Sequence, residues 1–200
     1  MGAACAAGEP EVLDAAERRR EAAYRRVEDR DRFRLRASLL RRVVGDILGI
    51  APRDVPVDRS CPGCGAQHGR AQIPGHPLHV SISKSADLAV VAVTALGPVG
   101  IDIERYAATV TDVAEHLLAP GETAGTPAEL LALWCRKEAL VKATGDGLTV
   151  PLTEIVAERG QPVRYPGGPL SVQLHDVDLA PGYASALAVL TDQPVLITRC

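Results

Sequence analysis

The chain has 200 residues, 46% of them hydrophobic, 24% charged and 3% aromatic, so it can bury a sizeable core that must be built mainly from aliphatic side chains. Its formal net charge of -3 gives no general attraction to nucleic acid or to an anionic membrane. No stretch approaches the roughly 18 apolar residues of a membrane span, and the first ten residues do not resemble a signal peptide, so we expect a cytoplasmic protein without a membrane or nucleic-acid partner.

The N-terminal quarter is predicted to be helical. Residues 1 to about 12 are expected to be disordered, and Val12 to Leu48 show apolar residues at helical spacing. We predict two helices, with the break between Glu28 and Asp31 and with Gly49 as the C-cap. The many arginines of this region are interpreted mainly as a solvated face, and Arg36, in the more apolar helix, is the best candidate for a phosphate ligand.

A loop rich in proline and glycine occupies residues 49–77 and contains Cys61-Pro62-Gly63-Cys64. Two cysteines at this spacing are compatible with a zinc site that His68 or His76 completes, with a redox pair, or with ordinary loop cysteines. A single CxxC motif is a weak signal, so the three interpretations stay open. Five scattered cysteines, an odd number, favour a reducing compartment over a disulfide framework.

Three strand-like runs follow at residues 78–83, 88–94 and 99–104, and their short connections predict an antiparallel meander. Ser81, Ser83 and Lys84 then lie at a strand end and its turn, where polar groups can reach a ligand. In the third run apolar and acidic residues alternate, so Ile101 and Ile103 are expected in the core and Asp102 and Glu104 on the other face. Two carboxylates on one face favour a bound divalent cation.

The main helix is predicted from Pro127 to about Ala143, with Gly145 and Gly147 ending it. Trp134, Glu138 and Lys142 recur every four residues and therefore share one stripe of this helix. If the stripe faces the acidic strand, Glu138 supplies a third carboxylate, with Lys137 and Lys142 beside it, and the group suits a metal-bound phosphate. Alternatively, the strand carboxylates and the helix pair are simply exposed.

The remaining elements carry no signature of their own. A short helix is expected at residues 112–119, and strands are expected at residues 155–158, 170–175, 183–190 and 195–198. Each half of the chain therefore has helices followed by antiparallel strands.

Taken together, these motifs resemble the phosphopantetheinyl transferases of the Sfp type. Gly100-Ile101-Asp102-Ile103-Glu104 is similar to the acidic strand of that family, and the run from Trp134 to Gly145 is similar to its helix motif. Two weaker matches are His68-Gly69-Arg70-Ala71 and Ser81-Ile82-Ser83-Lys84-Ser85. Lys84 stands where the family usually has histidine, and Ala71 stands where it usually has proline.

The resemblance implies an α+β fold of two similar α/β halves related by a pseudo-twofold axis, with antiparallel strands and packed helices. We place the halves at residues 1–98 and 99–200. It also implies that coenzyme A and Mg²⁺ bind in the cleft between them. The implied metal ligands are Asp102, Glu104 and Glu138. The implied coenzyme A site consists of Arg36, Gly69, Arg70, Ser83, Lys84, Lys137 and Lys142.

The implied reaction moves the 4'-phosphopantetheine group of coenzyme A onto a serine of an apo acyl or peptidyl carrier protein and releases adenosine 3',5'-bisphosphate. Asp102, Glu138 and Lys142 are the catalytic candidates: Glu138 or a metal-bound water takes the serine proton, and Lys142 stabilises the transferred phosphoryl group. Such enzymes serve fatty acid biosynthesis and secondary metabolism, and we expect a monomer. The alternative, motivated by Lys84 and Ala71, is a catalytically impaired module that binds coenzyme A or a carrier protein.

Overall fold

The structure is a computed structural model that describes residues 10–61, 63–106, 114–157, 159–160 and 162–199. Most of the predicted disorder, residues 1–9, lies outside the described residues, whereas Pro10–Val12 form a turn of 3-10 helix. Within the described part, no helix is both long and apolar enough to cross a membrane.

Two helices open the described chain, α1 at Ala15–Ala23 and α2 at Val27–Leu48. The break lies at residues 24–26, slightly before the predicted position, and Gly49 ends α2 in the left-handed conformation as predicted, with φ 67°. The fully buried Arg41 of α2 pairs with Asp14 and Glu17 at the start of α1. This ion pair fixes the two helices together.

The strands form two sheets. β1 (His79–Ser85) and β2 (Leu88–Thr94) make an antiparallel hairpin, whereas β3 (Val99–Arg105), β5 (Tyr183–Val189) and β4 (Gln173–Asp176) form an antiparallel sheet in the order β3-β5-β4. The predicted meander is therefore wrong at its third strand. The connection at residues 95–98 does not return the chain to β2, because β3 takes the C-terminal strand β5 as its ladder partner.

Two further helices belong to the C-terminal half, α3 at Ala114–Leu117 and α4 at Pro127–Thr144. Thr126 and Glu129 form a capping box at the start of α4, and Gly145 ends it with φ 87°, close to the predicted bounds. The predicted helix at residues 112–119 is seen only as α3, since residues 107–113 lie outside the described part.

Of the four predicted C-terminal strands, the second and third form as β4 and β5. The segment at residues 155–158 makes one bridge, between Val156 and Arg164, and residues 195–198 form no strand. Leu196 is 88% exposed, whereas Val195 packs against the cluster of Val99 and Val189 on the three-stranded sheet.

Each half packs a long helix on its own sheet. Leu40 and Val44 of α2 form a buried cluster with Val80 of β1, and a larger cluster surrounds Leu133 and Leu140 of α4. This is the α+β architecture of antiparallel sheets and packed helices that the sequence predicts. The division at residue 98 and the pseudo-twofold relation stay predictions.

Gly100 determines how α4 lies on β3. A Cβ atom at this position would be 1.9 Å from the carbonyl oxygen of Ala139 and 2.6 Å from the amide nitrogen of Ala143. Side chains two residues apart on a strand share a face, so α4 covers the face that also carries Asp102 and Glu104. The alternative in which the strand carboxylates are simply exposed therefore fails for Asp102, which is 3% exposed.

Candidate active site

A cavity of about 340 Å³ lies between the loop around Arg59 and Arg70, strand β1 and the C-terminal end of α4. Its walls include the ionisable side chains Arg59, Arg70, Glu138 and Lys142 and apolar groups such as Val80, Ile82 and Val141. A larger hollow of about 730 Å³, near α3 and Tyr165, contains none of the predicted site residues. The smaller cavity is therefore the candidate site.

Asp102 lies beside this cavity, and its two carboxylate oxygens differ in their hydrogen bonds. Ser83 Oγ donates to Oδ1 at 2.8 Å, and Lys142 Nζ donates to the same oxygen at 2.5 Å. Oδ2 is buried and has no hydrogen-bond partner among the described residues. A buried carboxylate oxygen without a donor is energetically unfavourable, so this atom is available to a cation.

Three alternate serines of β1 hold β3 in place. The hydroxyl oxygens of Ser81, Ser83 and Ser85 accept the backbone N–H groups of Ile101, Ile103 and Arg105 at 3.1, 3.4 and 3.0 Å. The constant offset of 20 residues shows that β1 and β3 run in the same direction. Where the hairpin meets the three-stranded sheet, hydrogen bonds from backbone N–H groups to serine hydroxyls thus take the place of backbone–backbone hydrogen bonds.

The same serines orient the acidic pair. Besides the bond from Ser83 to Asp102, Ser85 Oγ donates to Glu104 Oε2 at 2.6 Å. Sequence reasoning placed Ser81 and Ser83 at a ligand-binding strand end and did not find this role. The signal was present, because serines at every second residue put their hydroxyls on one strand face.

Glu138 of α4 is half-buried and lines the cavity. Burial raises its pKa above the ordinary value, the carboxylates of Asp102 and Glu104 raise it further, and Lys142 opposes the shift. The three carboxylates are thus close enough to influence one another, as the sequence suggested. A carboxylate with a raised pKa is a stronger base than an ordinary glutamate.

Two arginines supply much of the positive charge of the cavity. Arg70 donates to the carbonyl oxygens of Ala143 at 2.9 Å and Val99 at 3.2 Å, and so joins its loop to α4 and β3. Sequence reasoning missed Arg59, whose guanidinium makes no hydrogen bond to any described residue. Burial and the neighbouring Arg20 lower its pKa.

Lys84 and Arg36 are close enough for their charges to interact. Burial lowers the pKa of Lys84, and so do the nearby charges of Arg32 and Arg36. Arg36 lines a small adjoining hollow that shares Arg59 and Ile82 with the main cavity. These contacts describe a basic cluster in which the cations repel one another, as expected where an anion binds.

Three residues predicted for the coenzyme A site, Lys137, Ser83 and Gly69, do not line the cavity. Lys137 is fully buried, pairs with Glu122 and donates to the carbonyl oxygens of Leu117 and Leu152 at 2.5 and 3.0 Å. Adjacent residues of a helix project about 100° apart, so Lys137 cannot share the face of Glu138. Ser83 is buried against Asp102.

Gly69 does not line the cavity. Its N–H donates to the carbonyl oxygen of Arg59 at 2.7 Å, and a Cβ atom would be 2.8 Å from the carbonyl oxygen of Ser60. The glycine therefore permits a close crossing of two backbone segments, which places Arg59 and Arg70 at the base of one loop.

The predicted metal ligands are neighbours without forming a closed cluster. Within the described part of the chain, the ligand atoms of Asp102, Glu104 and Glu138 are not all within 4.8 Å of one another. Lys142 instead provides the charge partner of Asp102. Their assignment as metal ligands stays a prediction that the unpaired Asp102 Oδ2 supports.

Residues 98–181 match the model described as the 4'-phosphopantetheinyl transferase superfamily. The chain is 32% identical over 133 residues to a 4'-phosphopantetheinyl transferase of Bacillus subtilis, which covers 60% of this chain and 59% of that protein. It is 36% identical over 137 residues to the 4'-phosphopantetheinyl transferase psf-1 of Bacillus pumilus, covering 62% and 56%.

A third relative is the 4'-phosphopantetheinyl transferase HetI of a Nostoc species, at 32% identity over 131 residues, covering 60% of this chain and 54% of the relative. The chain thus spans less than two thirds of the length of these relatives. The resemblance noted from the acidic strand and the helix motif is confirmed.

Proposed function

We propose that this chain, whose residues 98–181 match the model of the 4'-phosphopantetheinyl transferase superfamily, transfers 4'-phosphopantetheine from coenzyme A to a serine of an apo acyl or peptidyl carrier protein. The observation that carries the proposal is the convergence of Asp102 from β3 with Glu138 and Lys142 from α4 beside a cavity lined by Arg59 and Arg70. Carboxylates and cations at one cavity suit a substrate that carries phosphates.

The cavity is suitable for coenzyme A in size and charge. Its volume of about 340 Å³ lies within the range of roughly 300 to 1,000 Å³ typical of ligand sites. Arg59, Arg70 and Lys142 would bind phosphate oxygens, while Arg36 of the adjoining hollow and the nearby Lys84 would attract the 3'-phosphate or the pyrophosphate. The apolar wall formed by Val80 and its neighbours would contact uncharged parts of the coenzyme.

Mg²⁺ fits the acidic residues. Asp102 Oδ2 is a buried acceptor without a donor among the described residues, and burial, together with repulsion from Asp102 and Glu104, raises the pKa of Glu138. Asp102, Glu104 and Glu138 would hold the ion, since Mg²⁺ prefers oxygen ligands. When bound, the metal supplies charge neutralisation for the pyrophosphate.

The chain's own residues can account for the proton and for the developing charge. Glu138 takes the proton of the carrier serine as its oxygen forms a bond to the β-phosphorus of coenzyme A. The bond from that phosphorus to the bridging oxygen breaks, and adenosine 3',5'-bisphosphate leaves with the electron pair. Lys142 stabilises the negative charge on the transferred phosphoryl group, and Ser83 keeps Asp102 oriented through its 2.8 Å hydrogen bond.

The proposal is tested by incubating the protein with coenzyme A, Mg²⁺ and a panel of apo carrier proteins and weighing the carriers by mass spectrometry. We expect at least one carrier to gain the mass of phosphopantetheine. Asp102→Ala and Glu138→Ala should reduce the rate by at least about 100-fold. Asp192→Ala, an exposed carboxylate in the C-terminal segment, is the matched control and should keep the wild-type rate.

Two outcomes would contradict the proposal. If calorimetry shows that coenzyme A binds while no carrier gains mass, the chain is a binding module and not a transferase. If both Asp102→Ala and Glu138→Ala retain most of the activity, the acidic residues do not perform the reaction.

A further inference from the structure

The loop before Arg70 brings three soft ligands together. The Sγ atoms of Cys61 and Cys64 and a ring nitrogen of His68 all lie within 4.8 Å of one another, and Cys64 Sγ is 3.0 Å from His68 Nε2. Both cysteines are free thiols in this structure. We propose that Cys61, Cys64 and His68 bind a zinc ion, which fixes the loop that carries Arg59 and Arg70.

The spacing of these atoms suits a tetrahedral ion. With Zn–S bonds of about 2.3 Å and Zn–N bonds of about 2.05 Å, sulfur atoms lie about 3.8 Å apart and sulfur and nitrogen about 3.6 Å apart. The observed set is already confined to 4.8 Å. These separations are within about 1 Å of those that a tetrahedral zinc ion requires.

The backbone after Cys61 turns back on itself, and the N–H of Cys61 donates to the carbonyl oxygen of Ala66 at 2.8 Å. Gly65, with φ 73°, turns the chain back so that its N–H donates to the carbonyl oxygen of Cys61 at 2.7 Å. A left-handed residue is required there, which glycine provides without strain. The turn thus presents both sulfurs on one side before any metal arrives.

The ligand chemistry selects zinc over the magnesium of the proposed active site. Thiolate and imidazole are preferred by Zn²⁺, whereas Mg²⁺ requires oxygen ligands. Within the described part of the chain, these three residues are the complete set. The fourth coordination position is filled by water, because Cys64 and His68 are exposed to solvent.

The position of the loop gives the ion a structural effect on the cavity. The base of the loop is closed by two hydrogen bonds between the backbones of Asp58 and Gln72, at 3.0 and 2.8 Å. Arg59 lies two residues before Cys61, and Arg70 lies two residues after His68. Zinc would therefore hold together the end of the loop that lies away from the Asp58–Gln72 hydrogen bonds. Arg59 and Arg70, whose side chains line the cavity, lie at the base of the same loop.

Metal analysis of the purified chain, expressed with added zinc and desalted, tests the proposal. We expect about one zinc ion per chain. The Cys61→Ser, Cys64→Ser and His68→Ala variants should lose it, and Co²⁺ bound in its place should give the sulfur-to-cobalt charge-transfer band of a thiolate site. His76→Ala is the matched control, because His76 is an exposed histidine of the same loop region outside the cluster, and it should keep the zinc.

The loop-fixing effect is measured by thermal unfolding. Removal of zinc with a chelator should lower the Tm of the wild-type chain by at least about 3 °C, and should leave the Tm of Cys64→Ser unchanged. Three results would each overturn the proposal. They are a zinc content below about a tenth of an ion per chain, an equal zinc content in wild type and in His68→Ala, and a Cys61–Cys64 disulfide in the protein purified under reducing conditions. None of these measurements depends on transferase activity.

Discussion

Replacement of Gly100 by alanine is the sharpest test of how the site is built. The added Cβ would lie 1.9 Å from the carbonyl oxygen of Ala139, whereas ordinary contact begins near 3.4 Å. Helix α4 must therefore move by about 1.5 Å, and because backbone atoms are involved we expect the upper end of the overpacking range, about 3 kcal/mol of unfolding free energy. For a chain of this length the Tm should fall by about 6 to 12 °C.

The same movement should damage the site. Lys142 Nζ is 2.5 Å from Asp102 Oδ1, and a displacement of about 1.5 Å would take the pair beyond hydrogen-bond distance. We expect the kcat for phosphopantetheine transfer to fall by about 100-fold, as for other misplacements of this size.

Calorimetric unfolding and carrier mass spectrometry measure the two effects. Gly125→Ala is the matched control, because its Cβ would meet only the end of the Glu129 side chain at 3.4 Å. A Gly100→Ala protein with wild-type Tm and wild-type kcat would show that the close packing of α4 on β3 is not what assembles the site.

Two further perturbations address groups outside the cavity. Lys137→Met should destabilise the chain by about 3 to 5 kcal/mol, because it leaves the buried Glu122 carboxylate without its cation; thermal unfolding measures this, and a loss below about 1 kcal/mol would contradict a buried pair. The pKa of His79 in the folded protein is lowered by burial and by the charge of Arg70. The native state therefore resists protonation of His79. The contribution of this residue to the stability of the fold should be complete above the ordinary histidine pKa of about 6.5 and should be lost as the pH falls toward the lower pKa of the folded state. Denaturant unfolding should show that the free energy of unfolding falls less between about pH 7.5 and about pH 5 for His79→Gln than for wild type. His76→Gln, at an exposed position, is the control and should lose as much as wild type. Equal losses for His79→Gln and wild type would refute the role of His79 in the pH dependence.

The sequence by itself determined the local elements and the identity of the acidic residues. Helix α4 begins at the predicted Pro127 and ends just before the predicted Gly145, because a proline in the first turn and a left-handed glycine at the end are local signals. The alternation around Asp102 predicted the strand, and the four-residue spacing of Glu138 and Lys142 placed both on one stripe. These patterns depend on residues that are neighbours in the chain, so they are readable without a fold.

Only the tertiary structure decided which element covers each face. Four features of the site join residues that are far apart in the chain. They are the pairing of β3 with β5, the burial of Lys137 against Glu122, the serine contacts from β1 to β3 and the presence of Arg59 in the cavity. Periodicity specifies which side chains point together, but long-range contacts are selected by packing and burial of the whole chain. For this reason the sequence predicted the acidic residues of the site and not the complete set of cations and hydroxyls around them.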